Sequence, residues 1–313
     1  MEDKAYGSGQ VRMHYRKGFV QPFLSTGSSG KPGDIAEKAT LATKLEVWYS
    51  CTDELSRRSQ GKLAAKIEVA ATLASELDDG TLGDYLGGVW SGDLPFGMAW
   101  ARQYSVLASP EIYRAPSWSW GSVDGRINHS FLTGQEGSED DVAWNEKYLP
   151  TLVSHAMLPL NSEDPYSLLK EGSSMTLLGS VASFRNAAEV FGRESQMDVT
   201  MNPIFDQSPM FDCTCCIPRS EEVQKNAAEQ FEQSVDHHVL FVLGRKTTKD
   251  ESMKTITCLL LRSVDGREGV FKRVGLAQMG IYDHGDDGGK ESVAKLVTIF
   301  EKVEWKKREL VLV

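Results

Sequence analysis

The chain has no long apolar run. Its densest stretches, such as "VLFVL" at 239–243, fall far short of the ~20 residues that a membrane-crossing helix needs. The first residues, "MEDKAYGSGQVRMHYRKGFV", hold no apolar segment of the kind a secretory signal carries. Cysteine is scarce and unpaired in pattern: five in 313 residues, three of them bunched as Cys213, Cys215 and Cys216. That number and spacing exclude a disulfide framework and point to a reducing compartment, the cytoplasm by default. Excess positive charge is missing too. Lys and Arg number 34 against 44 Asp and Glu, a net charge of −10, which argues against a nucleic-acid partner. The basic groups Arg57-Arg58 and Lys306-Lys307-Arg308 each sit beside acidic residues and read as solvated faces, so a membrane partner is not expected either.

Signatures of catalysis and metal binding are also lacking. No G-x-G-x-x-G, Walker loop, G-x-S-x-G or H-E-x-x-H occurs, and each of those spacings is what places its chemistry in reach of a substrate. The cysteine cluster with His237 or His238 lacks the paired spacings of structural zinc. The acidic stretch "DHGDDGGKES", 283–292, lacks the register and closing glutamate of a calcium loop. No metal, no cofactor and no identifiable catalytic residue are therefore expected.

What is present is a globular composition, 41% hydrophobic and 25% charged. Residues 1–40, with "STGSSGKPGD", read as a flexible leader, and 41–313 as a single domain. "GKLAAKIEVAATLASEL" repeats Leu63, Ile67, Ala70, Ala74 and Leu77 at steps of four, three, four and three, which predicts an amphipathic helix over 61–77. Ser59 is its expected cap, and "DDG" at 78–80 its stop. Leu86, Val89 and Trp90 of "GDYLGGVW" are spaced for a short helix beside Tyr85, and Met98-Ala99-Trp100 for a second. Beyond Trp120 the texture turns to strands: 174–184, interrupted or bent at Gly179, then 237–246, 255–264, 269–279 and the closing "RELVLV". "SVDGREG", 263–269, has hairpin-loop chemistry, and "SEEVQKNAAEQFEQ", 220–233, reads as a helix between strands. The stretches 133–148 and 283–292 read as polar loops. The fold class is α+β, with short helices (about 61–105) packed on a β-rich sandwich or barrel-like body (about 112–313).

The densest chemistry lies in "YRAPSWSWGSVDG", Tyr113 to Gly125, since four of the seven tryptophans fall at 90, 100, 118 and 120. Pro116 restricts Ala115 to an extended conformation. If the extension continues, Trp118 and Trp120 share one side and Ser117 and Ser119 the other. One reading is a staple that fastens the helical layer to the strand layer. The other is an aromatic wall of a ligand pocket, with Tyr85 and Trp90 nearby and Arg114 and Asp124 as polar handles. The residue chemistry favours the staple.

These same residues carry a family resemblance. "GDYLGGVW", the tryptophan of "MAWA" and "RAPSWSWGS" resemble the region that follows the heterokaryon-incompatibility (HET) domain in fungal proteins. "YSCTDELS" (49–56), the helix 61–77, "LGSV" (178–181), "FKRVGLA" (271–277) and "KKRELVLV" (306–313) follow in the family's order, with Gly121 where the family has alanine. The resemblance spans about 45–313. The family's amino-terminal TIR-like domain, with its W-x-x-Q-E-R-like motif and its link to cell death on contact with non-self, has no match in residues 1–44, so no family catalytic residue carries over. The resemblance implies a non-catalytic binding or regulatory module with a protein partner and an apolar surface patch for docking. The alternative is a stand-alone enzyme of fungal secondary metabolism, a cyclase or isomerase whose small-molecule substrate sits in a cavity beside Trp118.

Overall fold

The computed structural model describes residues 32–57, 63–102, 112–129, 139–195, 210–211, 235–247, 253–282 and 289–313. Its body is a ring of strands. β4 (Ser174–Ser183), β6 (His238–Thr247), β7 (Met253–Ser263) and β8 (Val270–Tyr282) run as successive antiparallel neighbours. β9 (Lys306–Leu312) then pairs antiparallel with β4 and parallel with β8. Each of the five thus has a neighbour on both sides, and the ladder closes like a barrel. Closure removes the exposed edges that an open sheet must otherwise protect. β3 (Thr151–Ala156) adds to β4, and β5 (Met210–Phe211) to β8.

The side-chain period of two explains why these strands read as unbroken apolar runs. In β6, Phe241 and Leu243 join the core inside the ring, while Leu240 and Val242 belong to a second core outside it. In β7, Leu259 and Leu261 face in and Cys258 and Leu260 face out. Strands buried on both faces have no solvated side to fill with polar residues. β4 runs unbroken through Gly179, where the expected bend is replaced by a close contact. A Cβ there would lie 2.6 Å from the Phe241 ring, so only glycine lets that ring rest on the backbone.

Among the described residues the outer core is covered by three helices, two of which fall partly in stretches expected to be loops. α4 (Glu139–Tyr148) occupies most of 133–148, and α6 (Gly289–Lys302) begins inside 283–292. Their charged residues dominate the sequence, but Trp144 of α4 and Leu296, Ile299 and Phe300 of α6 are buried against the sheet with Phe191 of α5 (Phe184–Ser195). Asn145 adds polar matching: its Oδ1 accepts from Arg245 N–H at 2.8 Å and its Nδ2 donates to Arg245 O at 3.2 Å.

The helical layer is larger than expected. α1 spans Pro32–Arg57, so the last nine residues of the stretch read as leader are helical. Pro32 stands at the first helical position, where its missing N–H costs nothing and its fixed φ fits. Leu41, Leu45, Trp48, Tyr49, Thr52, Leu55 and Ser56 are buried, a helical stripe along one face. α2 (Leu63–Leu77) forms as expected, burying Ile67, Ala70 and Ala74. It stops where Asp78 and Asp79 turn their Oδ1 atoms back to accept from Gly80 N–H at 2.7 Å and Thr81 N–H at 3.1 Å. The cap Ser59, the helix 220–233 and the cysteine cluster lie outside the described residues.

The two short helices expected over 85–100 are corrected. Residues 85–90 form a tight hairpin: Tyr85 bridges Trp90, and Leu86 N–H donates to Val89 O at 2.8 Å. Gly87 and Gly88 have φ of 65° and 114°, the positive values a two-residue hairpin turn demands, and no helix tolerates them. The short helix is α3 (Leu94–Gly97), not 98–100. Beyond it, β1 (Ala101–Arg102) pairs with β2 (Ile127–Asn128).

Candidate functional site

The tryptophan motif sits between the two layers, and its rings part. The expected common face is not observed, because Ser117–Trp118 form a turn and Trp120–Ser122 a 3-10 turn capped by Ser119, whose Oγ accepts from Gly121 N–H at 3.1 Å. Trp118 enters the barrel core beside Leu86, Met98 and the inward strand residues. Trp120 enters the helical core with Trp48, Trp90 and Ala70. Each indole thus anchors a different layer. Trp118 Nε1–H donates to Leu86 O at 2.9 Å, and Trp100 Nε1–H donates to Trp118 O at 2.9 Å, so three segments are tied at one point.

The serines complete the clasp. Ser117 Oγ accepts from Arg273 N–H of β8 at 3.0 Å and donates to Val313 O beyond β9. It therefore fastens the motif where β8 and β9 run side by side. Arg273, also buried, reaches back to the helical side, donating from Nη1 to Met98 O and from Nη2 to Trp100 O, each at 2.5 Å. Its guanidinium lies 3.4 Å from the centroid of the Trp100 ring, a cation–π contact of unusual closeness. At the motif's two ends Arg114 Nη2 and Asp124 Oδ1 form an ion pair at 2.7 Å. Burial lowers the pKa of Lys66 on α2, while Asp124 raises it and Arg114 lowers it.

Tyr85 and Trp90 belong to a packed aromatic group. Ring centroids are 5.1 Å apart for Tyr85–Trp90, 5.9 Å for Trp48–Tyr85 and 5.8 Å for Trp48–Trp90, all near edge-to-face. These are direct contact distances, so no ligand lies between those rings. Burial drives the Tyr85 hydroxyl far above its ordinary pKa. The structure thus brings Tyr85, Trp90 and Trp120 into the helical core, puts Trp118 in the barrel core, and pairs Arg114 with Asp124.

Among the described residues, two buried acidic positions are not expected from the sequence. Asp53 Oδ1 lies 2.9 Å from His129 Nδ1, with both side chains buried and the Tyr49 and His129 rings 4.4 Å apart. Ser56 Oγ accepts from Ile127 N–H at 3.0 Å. Tyr49, Asp53 and Ser56 follow i, i+4, i+7 on α1, and that spacing in "YSCTDELS" was the available signal. The second is Asp93, whose Oδ2 has no hydrogen-bond partner among the described residues and whose carboxyl is held well above its ordinary pKa by burial. No sequence pattern marks it.

Beside the clasp several large apolar side chains are exposed. Ile112 is 77% exposed and Tyr113 40%, immediately before Arg114. Val153, Leu158 and Leu160 are exposed on and beyond β3. Tyr113 Oη donates to Lys170 O at 3.2 Å, and Lys170 N–H donates to Leu158 O at 2.7 Å, which joins the two segments. Among the described residues no group of three or more His, Cys, Asp and Glu could hold a metal ion, and no helix is long and apolar enough to cross a membrane. No protein-family model matches the chain, and no curated protein or solved structure matches it either.

Proposed function

We propose that this chain is a binding or regulatory module, related to the region that follows the HET domain in fungal incompatibility proteins, and that it acts by docking a protein partner rather than by turnover. One observation carries the reading: the motif's aromatic rings are consumed in packing while apolar side chains beside them stand in solvent. Ile112 and Tyr113 lead directly into the clasp, and the Tyr113 hydroxyl bonds Lys170 O beside Leu158, so exposed apolar side chains of two tied segments offer a contact surface. A cyclase or isomerase built on the same motif would need its rings to share an open wall. Trp118 and Trp120 instead anchor separate cores.

The test compares the full chain with its Ile112→Asp/Leu160→Asp variant, both tagged and recovered from the cells that make them. The expected result is a partner enriched with the parent chain and lost with the variant, at an unchanged thermal midpoint. Identical protein profiles, together with conversion of a metabolite by the purified parent chain, would favour the enzyme instead.

A further inference from the structure

The occupant of this surface can be narrowed, on the footing that the chain is a docking module. We infer that it takes a basic segment of a partner protein, seated by apolar side chains and held by the carboxylates around the patch.

The apolar part is concentrated. Five of the seven large hydrophobic side chains exposed among the described residues are Ile112, Tyr113, Val153, Leu158 and Leu160. The hairpin that carries the last two is rigidly built. Leu160 N–H donates to Leu168 O at 2.6 Å and Lys170 N–H to Leu158 O at 2.7 Å, and its tip is closed by Asn161 and Asp164 accepting from Glu163 and Tyr166 N–H. Tyr166 is fixed in turn by its hydroxyl, 2.5 Å from Asp78 Oδ2.

The charges around it are one-sided. From Thr151 to Ser174 the chain has Glu163, Asp164 and Glu171 against the single cation Lys170. Glu163 and Glu171 are exposed. Glu171 is close enough to Tyr113 to help burial push that hydroxyl up to about 12. Glu163 and Glu171 are exposed on this segment and Glu171 stands near Tyr113, charges that repel an acidic partner and attract a basic one. A second copy of this chain would set the same carboxylates face to face within molecules of net charge −10.

Strand addition is a poor alternative mode of binding. β3 pairs with β4 alone among the described strands, but its ladder is bulged between Leu152 and Ser154, and Pro159 offers no N–H. Bulges and prolines are how an edge is blunted against a further strand. Side-chain packing, with charge setting the choice of partner, is what the surface offers.

The experiment places the photo-crosslinker p-benzoylphenylalanine at Leu160 of the full chain, in the cells that make it, with the exposed Val69 of α2 as the control position. The crosslinked segment is then sequenced. The expected result is one segment with at least two Lys or Arg among apolar residues. Its yield should fall roughly tenfold with Glu163→Lys/Glu171→Lys, which should leave the thermal midpoint unchanged, and should fall again at about 0.5 M salt. A specific crosslink to an acidic or uncharged segment, to a second copy or to this chain's own residues overturns the inference and leaves the module reading standing. Labelling at Leu160 no greater than at Val69 overturns both.

Discussion

Ser117 illustrates how far a single hydroxyl can reach in this molecule: it satisfies Arg273 N–H on one strand and binds Val313 O beyond another. Replacing it with alanine removes the acceptor that Arg273 N–H uses, while Val313 O keeps the Ser117 backbone N–H at 3.3 Å, so Ser117→Ala is expected to cost about 1–2 kcal/mol in urea unfolding. Gly179→Ala should cost about 1–3 kcal/mol, because its methyl would press on the Phe241 ring and neither a strand nor a core ring can yield cheaply. Asp93 supplies a pH dependence. Its folded-state pKa is raised by burial, above the ~3.9 of an unfolded aspartate. Stability from this group is therefore fully present below about pH 4 and is lost as pH rises, because the unfolded chain releases the proton first. Asp93→Asn does not titrate. Its urea midpoint should match the parent's near pH 4 and exceed it by pH 8, whereas parallel pH profiles would show that Asp93 ionises normally.

At the scale of elements, the strands were readable because burial on both faces leaves unbroken apolar runs, as in "VLFVL" and "CLLL". α2 was readable from its stripe of alanines and branched residues. The hairpin at 85–90 was misread because Leu86, Val89 and Trp90 happen to have helical spacing, while the decisive signal was the Gly-Gly pair between them. Gly88→Ala should therefore destabilise strongly, by about 1–3 kcal/mol, since its φ of 114° is strained for alanine and the new methyl would meet Ser119 Oγ at 2.5 Å. α4 was hidden by its acids. Only Trp144 and Tyr148, four residues apart with rings at 4.5 Å, betray the buried side. α1 was cut short because Gly, Ser and Pro precede it, although its stripe from Leu41 was there to be read. In the motif, the alternation of tryptophan and serine is plain in the sequence. Its consequence was not legible, because a turn at Ser117–Trp118 sends the two rings apart.

The whole molecule is a closed ring of strands with helices on its outer face and a helical layer clasped to it by the tryptophan motif. Amide exchange should be slowest in β6 and β7, whose inward and outward faces are both covered. The proposed function gives structure and binding to neighbouring but separate residues: Trp118 is buried in the core, and Ile112 and Leu160 are exposed at the surface. The most direct measurement is therefore a paired one, thermal midpoint and partner retention, on Trp118→Phe and on Ile112→Asp/Leu160→Asp. Trp118→Phe loses the bond to Leu86 O and should cost about 2 kcal/mol, lowering the midpoint while the folded fraction keeps its partner. The surface variant should keep its midpoint and lose the partner. A Trp118→Phe chain of unchanged midpoint that no longer binds its partner, or no longer turns over a substrate, would contradict the division and place the function at the tryptophan motif itself.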